Sequence, residues 1–220
     1  MLGDKLLLRL EEEKDFKIVE NVTREAFWNI HGPGCNEHYL IHVMRSCDAF
    51  IKPLDMVAEY EGAIVGNIVY TKSKIIGDDG DSYEVISFGP VSVLPEYQGM
   101  GVGKALIETT KDMAREMGYK AILIYGDPEY YKRVGFLPAE HFGIGTSDDH
   151  YATPLLACEL IPGELDGKQG RFIEDEAFDL PEEEGLAFDK HFPEKAFEEG
   201  LPSQLRFLEL VKMRRPRSKF

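Results

Sequence analysis

Three closely spaced glycines and a lysine stand where an apolar run gives way to a helical pattern: Val91-Ser92-Val93-Leu94-Pro95-Glu96-Tyr97-Gln98-Gly99-Met100-Gly101-Val102-Gly103-Lys104. Glycines let the backbone approach a ligand closely, and the free N–H groups of a helix N-terminus attract phosphate. A pyrophosphate fits such a turn, with Lys104 adding positive charge. A Walker loop requires Ser or Thr after its Lys, but Ala105 follows here, and Gln98 stands at the position of that motif's first Gly. The dinucleotide fingerprint needs Gly where Lys104 stands. A tight turn without a ligand accounts for one or two glycines, and less well for three alternating ones preceded by Gln.

The pattern Gln-x-x-Gly-x-Gly, after a strand ending in Val-x-Pro-Glu-x-Gln, closely resembles motif A of the GNAT superfamily of acyl-CoA N-acyltransferases. Further on, Tyr130-Tyr131-Lys132-Arg133-Val134-Gly135-Phe136 resembles that superfamily's second signature, Tyr-x-x-x-Gly-Phe, with Tyr131 in the tyrosine position. Phe88-Gly89-Pro90-Val91 and Gly126-Asp127-Pro128-Glu129-Tyr130-Tyr131 are similar to stretches in a bacterial branch of acetyltransferases whose members mostly lack known substrates.

The resemblance implies acetyl-CoA as cosubstrate and no metal. It assigns the backbone of Val91 and Val93 to the pantetheine arm, with the Val91 amide polarising the thioester carbonyl. It assigns the backbone amides of Gln98, Gly99, Met100, Gly101, Val102, Gly103 and Lys104 to the pyrophosphate. Tyr131 becomes the general acid that protonates the departing thiolate. The implied reaction is direct attack by a neutral primary amine in a ternary complex. Transfer of another acyl group, or a catalytically weak acyl-CoA-binding module, remains open. An intact Tyr131 favours an enzyme; Ser87, standing where some members carry a Glu base, favours the module. Serine is no base at neutral pH without help, and Glu84, three residues away, faces the other side of the strand. No base is assigned. The resemblance places the acceptor cleft around Asn29 to Tyr39, with His31, Glu37, His38 and Tyr39 as candidates, each of which reads more readily as a solvated loop or helix residue. No nucleophile triad is legible.

These residues need a frame. Leu6 to Arg9 reads as a strand, and Glu13 to Trp28 as a helix with Phe16, Val19, Val22, Thr23 and Phe27 on one face. His31-Gly32-Pro33-Gly34 is a loop, and Glu37 to Phe50 a second helix. Met56 to Tyr60 and Ala63 to Ile76 flank a hairpin at Glu61-Gly62, with Ile64, Gly66, Ile68 and Tyr70 expected on one face. Tyr83 to Leu94 is a strand with a break or bulge at Gly89-Pro90. A helix from Gly101 to Met117 is expected to bury Val102, Ala105, Leu106, Thr109, Met113 and Met117, closed by Gly118. Ala121 to Tyr125 is an interior strand, Pro128 to Val134 a short helix, Leu155 to Ile161 a late strand, with Arg171 to Phe178 as another candidate. The helix between the strands at 83–94 and 121–125 makes that pair parallel, so the expectation is an α/β domain with a mixed sheet, GNAT-like, over 1–165. A C-terminal extension follows at 166–220, with an acidic linker and a terminal amphipathic helix. That helix is read with Leu201, Leu205, Leu208 and Val211 as its apolar stripe, Ser203 as N-cap, and Arg214 to Lys219 solvated; it is expected to dock on the domain or on a second subunit, with a flexible tail as the rival reading.

At 220 residues the chain suits one domain with an added segment. Its formal charge of −15 disfavours nucleic acid and anionic membrane as partners. It suits a small amine or a basic peptide as acceptor; a homodimer is open. The segment MLGDKLLLRLEEEKDF lacks the features of a signal peptide. Cys35, Cys47 and Cys158 read as reduced thiols with no metal-ligand spacing, which points to the cytoplasm.

Overall fold

The computed structural model describes residues 5–217; Ser218 and Lys219 of the basic tail, like residues 1–4, lie outside the described residues. The order is β1 (Leu6–Leu10), α1 (Phe16–Phe27), α2 (Glu37–Met44), β2 (Met56–Tyr60), β3 (Ala63–Gly77), β4 (Ser82–Val93), α3 (Val102–Glu116), β5 (Ala121–Tyr125), α4 (Pro128–Tyr131), β6 (Leu137–Pro138), β7 (Ile144–Gly145), β8 (His150–Ala152), β9 (Leu155–Glu159), β10 (Gly170–Ile173), α5 (Glu182–Asp189), α6 (Pro202–Lys212) and β11 (Arg214–Pro216). Among the described residues, the main sheet runs β1-β2-β3-β4-β5-β9-β6, with β10 beside β3 and β7 beside β10. It is mixed: β4 and β5 are parallel, while β1 to β4 form an antiparallel run.

One face of the sheet packs on α3, where Ile68, Tyr70, Ile86, Leu106, Ile107, Ile122 and Phe136 are buried together. The other packs on α1 and α2 through Val19, Val22, Ile41, Met44, Val57 and Val69. Truncating any of the large aliphatic members to Ala is expected to cost about 2–5 kcal/mol.

Several expectations shift for identifiable reasons. In β3, Ile64 faces α1 and α2, whereas Gly66, Ile68 and Tyr70 face α3. The register slips there: Ala58 pairs with Gly66 and Glu59 with Ile64, leaving Val65 as the extra residue of a bulge, which reverses the alternation. The break foreseen at Gly89-Pro90 is a second slip, with Val91 opposite Ile68 but Phe88 opposite Tyr70. The second helix stops at Met44, not Phe50. The chain beyond it is recruited by β3: Ile51 N–H donates to Tyr70 O at 2.9 Å, and Lys72 N–H to Ala49 O at 2.8 Å.

In α3 the buried stripe is Val102, Gly103, Leu106, Ile107, Thr110, Lys111 and Ala114. Ala105, Thr109 and Met113 are only half-buried, and Met117 is exposed. Two polar residues go inside because partners await them. The Thr110 hydroxyl bonds the Tyr70 hydroxyl at 2.8 Å, and Lys111 Nζ donates to Val134 O at 2.7 Å. In α6, Pro202 takes the first helical position and Leu201 the cap, so Ser203 lies inside the helix. The buried residues are Gln204 and Leu210, and Leu205, Leu208 and Val211 face solvent. Gln204 Nε2 donates to Asn29 O at 3.0 Å and Glu198 O at 2.8 Å, which fixes the helix rotation against its apolar stripe.

The segment beyond 166 packs on the domain. β10 adds to the sheet edge of β3, and β11 pairs with β8. Arg217, expected in solvent, is buried, with its guanidinium on Asp78 at 2.5 Å, Asp149 at 2.7 Å and Gly143 O at 3.2 Å. The other two charges nearby, Arg214 and Arg215, pair with Asp148 and Glu140.

Candidate active site

β4 and β5 share a single registered pair, Ile86 with Ile122, and diverge beyond it. From Ser87 onward β4 is bonded to β3 alone, and its far edge opens into a wedge. Leu94 N–H donates to Val65 O at 2.9 Å on the β3 side. Backbone direction alternates along a strand, so the amides of Val91 and Val93 point the other way, into the wedge. Pro90, beside Val91, has no N–H. The Val93 carbonyl accepts from Gln98 Nε2 at 3.1 Å.

The turn after β4 leads into α3 with Gly99 at φ +73° and Gly101 at φ +95°, backbone states that strain any residue with a side chain. No atom lies within 4 Å of where a Cβ would stand on either, so the turn presents bare backbone. The first helical bond is Ala105 N–H to Gly101 O at 2.9 Å, leaving the amides of Gly101 to Lys104 as the open N-terminus of a fifteen-residue helix with no acid in its first turn.

A cavity of about 650 Å³ brings these parts together. Val91, Val93, Gln98, Gly99, Gly101, Val102, Gly103, Lys104 and Tyr131 all line it; Met100 does not, its side chain being exposed. Ala26 and Phe27 of α1, Ile30 just beyond it, and Tyr97, Asp127, Tyr130, Arg133 and Val134 also line it, unmarked in the sequence. Amphipathic periodicity marks α1 as a packing helix, and nothing local marks its C-terminal end as a cavity wall.

Asp127 caps α4, its Oδ1 accepting from Glu129 N–H at 2.8 Å. The short helix delivers Tyr131 against Phe88 and Phe136, with ring centroids 5.9 and 5.7 Å away. Gly126 clears the space that the ring fills. Among the described residues, the Tyr131 hydroxyl makes no hydrogen bond, and burial raises its pKa above the ordinary phenol value, so it carries its proton at neutral pH. Ser87, pointed to as the position of a base in some relatives, is buried with its hydroxyl unpartnered. It supplies no base.

Behind α1 lies a second cavity of about 380 Å³, between the 29–36 loop and the carboxyl-terminal segment. Of the four acceptor-side candidates, His31 and Glu37 line it; His38 and Tyr39 do not. His31 Nδ1 is 2.8 Å from Glu37 Oε1. Cys35 Sγ lies 3.5 Å from His38 Nδ1, and His38 Nε2 lies 3.1 Å from Asp189 Oδ1 without the alignment of a hydrogen bond. This arrangement superficially suggests a nucleophilic triad, but its electrostatics oppose one. Burial pushes the Cys35 thiol up, with Glu37 and Asp189 adding to the effect, and burial pushes the His38 imidazole down. Asp189 is held by Arg24, with Nε to Oδ1 at 2.6 Å and Nη2 to Oδ2 at 3.1 Å. Thiol and imidazole both stay neutral, and the cluster fastens α1, α2 and α5 together.

Residues 54–138 match the family profile described as an acetyltransferase (GNAT) domain. The chain is 42% identical over 85 residues to the uncharacterised N-acetyltransferase YjhQ of Escherichia coli, covering 39% of this chain and 46% of that relative's length. It is 27% identical over 136 residues to the uncharacterised N-acetyltransferase YhbS of Escherichia coli, 62% of this chain and 76% of that one. The crystal structure of YhbS in complex with CoA superposes with a TM-score of 0.70 at 25% identity, covering 80% of this chain and 93% of that one. A GNAT family acetyltransferase from Brucella melitensis in complex with acetyl-CoA gives 0.64 at 27% identity, covering 79% and 98%. The diverging β4 and β5, the bare glycine turn at the head of α3 and the tyrosine beside them agree with these likenesses: residues 54–138 form an acetyltransferase domain of the GNAT type.

Proposed function

We propose that the protein moves the acetyl group of acetyl-CoA to a primary amine by direct attack within a ternary complex. The observation that carries this reading is one cavity lined at once by the free edge of β4, the open amides of α3 and the Tyr131 ring. The residues fit the cosubstrate: bare glycine backbone leaves room for a pyrophosphate, and the unpaired strand edge at Val91 and Val93 offers hydrogen bonds to an amide-bearing arm. Acetyl-CoA supplies the activated acyl carbon and a thiolate leaving group. The Val91 amide faces the side on which negative charge grows at the carbonyl oxygen. Tyr131 holds a proton for the sulfur as the C–S bond breaks. The amine nitrogen forms the new C–N bond and loses its proton to solvent, since Asp127, the carboxylate lining this cavity, is held by Arg206 and the Glu129 N–H.

Two measurements test the reading. Acetyl-CoA raises the melting temperature of the wild type by mass action, and Gly101→Val abolishes that shift. On an amine that supports CoA release, Tyr131→Phe lowers kcat by roughly 10²-fold while acetyl-CoA affinity stays within a few-fold, because the lost bond matters as charge develops on sulfur. Tyr130→Phe does much less. No thermal shift at millimolar acetyl-CoA, or equal effects from the two tyrosine substitutions, would contradict the assignment.

A further inference from the structure

Gly103 is the second residue of α3, and its backbone does not explain why it is glycine. Gly99 and Gly101 have left-handed backbone, but Gly103 is helical. Glycine inside a helix is less stable than alanine, so its presence there calls for another cause. That cause lies across the cleft. A Cβ on Gly103 would stand 2.7 Å from the hydroxyl oxygen of Tyr130 and 3.6 Å from Val93 Cγ2. The Tyr130 hydroxyl thus rests against the first turn of α3, beside the free edge of β4, in the cavity that Val93, Gly103 and Tyr130 all line.

The ring that carries this hydroxyl is held edge-on to Tyr131, with centroids 4.9 Å apart and planes at 87°. Among the described residues the Tyr130 hydroxyl makes no hydrogen bond. Partial burial raises its pKa, with Arg133 opposing the shift in part, so it keeps its proton at neutral pH. A free O–H donor therefore lies next to the open amides of Gly101 to Lys104, whose first turn contains no acid. The charge around them is positive. Lys104 and Arg133 line the cavity with no acidic partner among the described residues, and Asp127 is already held by Arg206. A group that satisfies these donors together is anionic and carries several acceptor oxygens.

We infer, resting on the acetyltransferase reading, that Tyr130 is a cosubstrate-binding residue: its hydroxyl donates to the diphosphate of acetyl-CoA beside the α3 amides, and Gly103 is glycine to leave it that place. The two adjacent tyrosines then divide the work. Tyr131 meets the sulfur as the C–S bond breaks, and Tyr130 holds the phosphate-bearing end. The diphosphate keeps the same charge in the ground state and the transition state. Its bond to Tyr130 is therefore equally strong in both, and its loss shows in affinity and not in turnover.

The test is calorimetric titration of CoA and of dephospho-CoA, which keeps the diphosphate and lacks the ribose phosphate. Tyr130→Phe is expected to raise the Kd of both by the same factor, roughly tenfold, the scale of one hydrogen bond to a charged group. Gly103→Ala closes the double-mutant cycle. In the wild type its methyl group displaces the Tyr130 hydroxyl and raises Kd by a similar factor; in the Tyr130→Phe protein, where that oxygen is gone, it changes Kd little. An unchanged Kd in Tyr130→Phe would overturn the inference. So would a loss confined to CoA, which would move the contact to the ribose phosphate, or a Gly103→Ala effect of equal size in both backgrounds, which would make the glycine serve the ligand directly. The wild-type titration separates the two levels: no CoA binding there removes the acetyltransferase reading by itself, whereas CoA binding that Tyr130→Phe leaves intact removes only the role of Tyr130.

Discussion

Arg206 in α6 grips Asp127, the cap of the helix that ends in Tyr131: Nε lies 3.0 Å from Oδ2 and Nη2 3.4 Å from Oδ1. A residue far along the chain thus steadies the short helix that carries the proposed acid. Asp127 therefore has two roles, and they can be separated. The ion pair is exposed and screened by solvent and contributes little, whereas a helix cap contributes about 0.5–2 kcal/mol. Arg206→Ala and Asp127→Asn are expected to lower the melting temperature slightly and equally, because Asn still caps. Asp127→Ala is expected to lower it more and to reduce kcat. The Arg206 bond also holds the Asp127 carboxyl below its usual range. Its contribution is present above the unfolded-state pKa and is lost as pH falls through the folded one. Equal damage from Asn and Ala at this position would remove the capping role.

Gly126 is the second control on Tyr131. A Cβ at this position would collide with the edge of the Tyr131 ring, which Phe88 and Phe136 hold from other sides. Gly126→Ala is therefore expected to push the ring out of place and lower kcat by about 10²-fold, as removal of a positioned acid does. Acetyl-CoA binding, read as the thermal shift, should persist, since the glycine turn lies elsewhere. An Ala variant with full turnover would show that the ring tolerates displacement.

A pH effect on stability is expected from Glu174, just beyond β10. Burial pushes its carboxyl up to about 7, from an ordinary value near 4. The folded state holds this proton more tightly than the unfolded one, so stability is full below the unfolded pKa and declines as pH rises from about 4 to about 7. Glu174→Gln should flatten that decline and stabilise the protein at pH 8 by about 1–3 kcal/mol, measured by denaturant unfolding across the range. Asp55, pushed up by burial and by its hydrogen bond with Glu11, adds a slope of the same sign, so the comparison is of variant against wild type. A steeper profile in the Gln variant would reverse the assignment.

The parts that sequence made legible are those whose chemistry is local. Gly99, Gly101 and Gly103 announce a bare turn at a helix start, and Tyr131 follows at motif spacing, because backbone conformation and signature spacing are written in neighbouring residues. What escaped depends on contacts across the chain. Ile64 changed faces because Val65 bulges, a slip that needs β2 to define it. The apolar stripe of α6 points outward because Gln204 finds Asn29 and Glu198 as partners, an opportunity no helical periodicity records. The walls that Glu182, Phe197 and Phe207 give the second cavity were not legible either, since their place beside the 29–36 loop exists only once the carboxyl-terminal segment has docked.

That docking is made of contacts with very long separations: 165 residues between Arg24 and Asp189, 168 between Trp28 and Ala196, and 175 between Asn29 and Gln204. Closing loops of such length costs entropy before any contact rewards it, although the cost grows only logarithmically with length. The strand–helix–strand unit from β4 to β5 and the following tyrosine helix is held by much more local pairings. Kinetically, then, the two cavities are unequal: the one at the head of α3 has the short route to its native form, and the one behind α1 waits on the slowest closures. A refolding experiment that follows acetyl-CoA binding and Trp28 fluorescence side by side should see the ligand site recover ahead of the tryptophan signal.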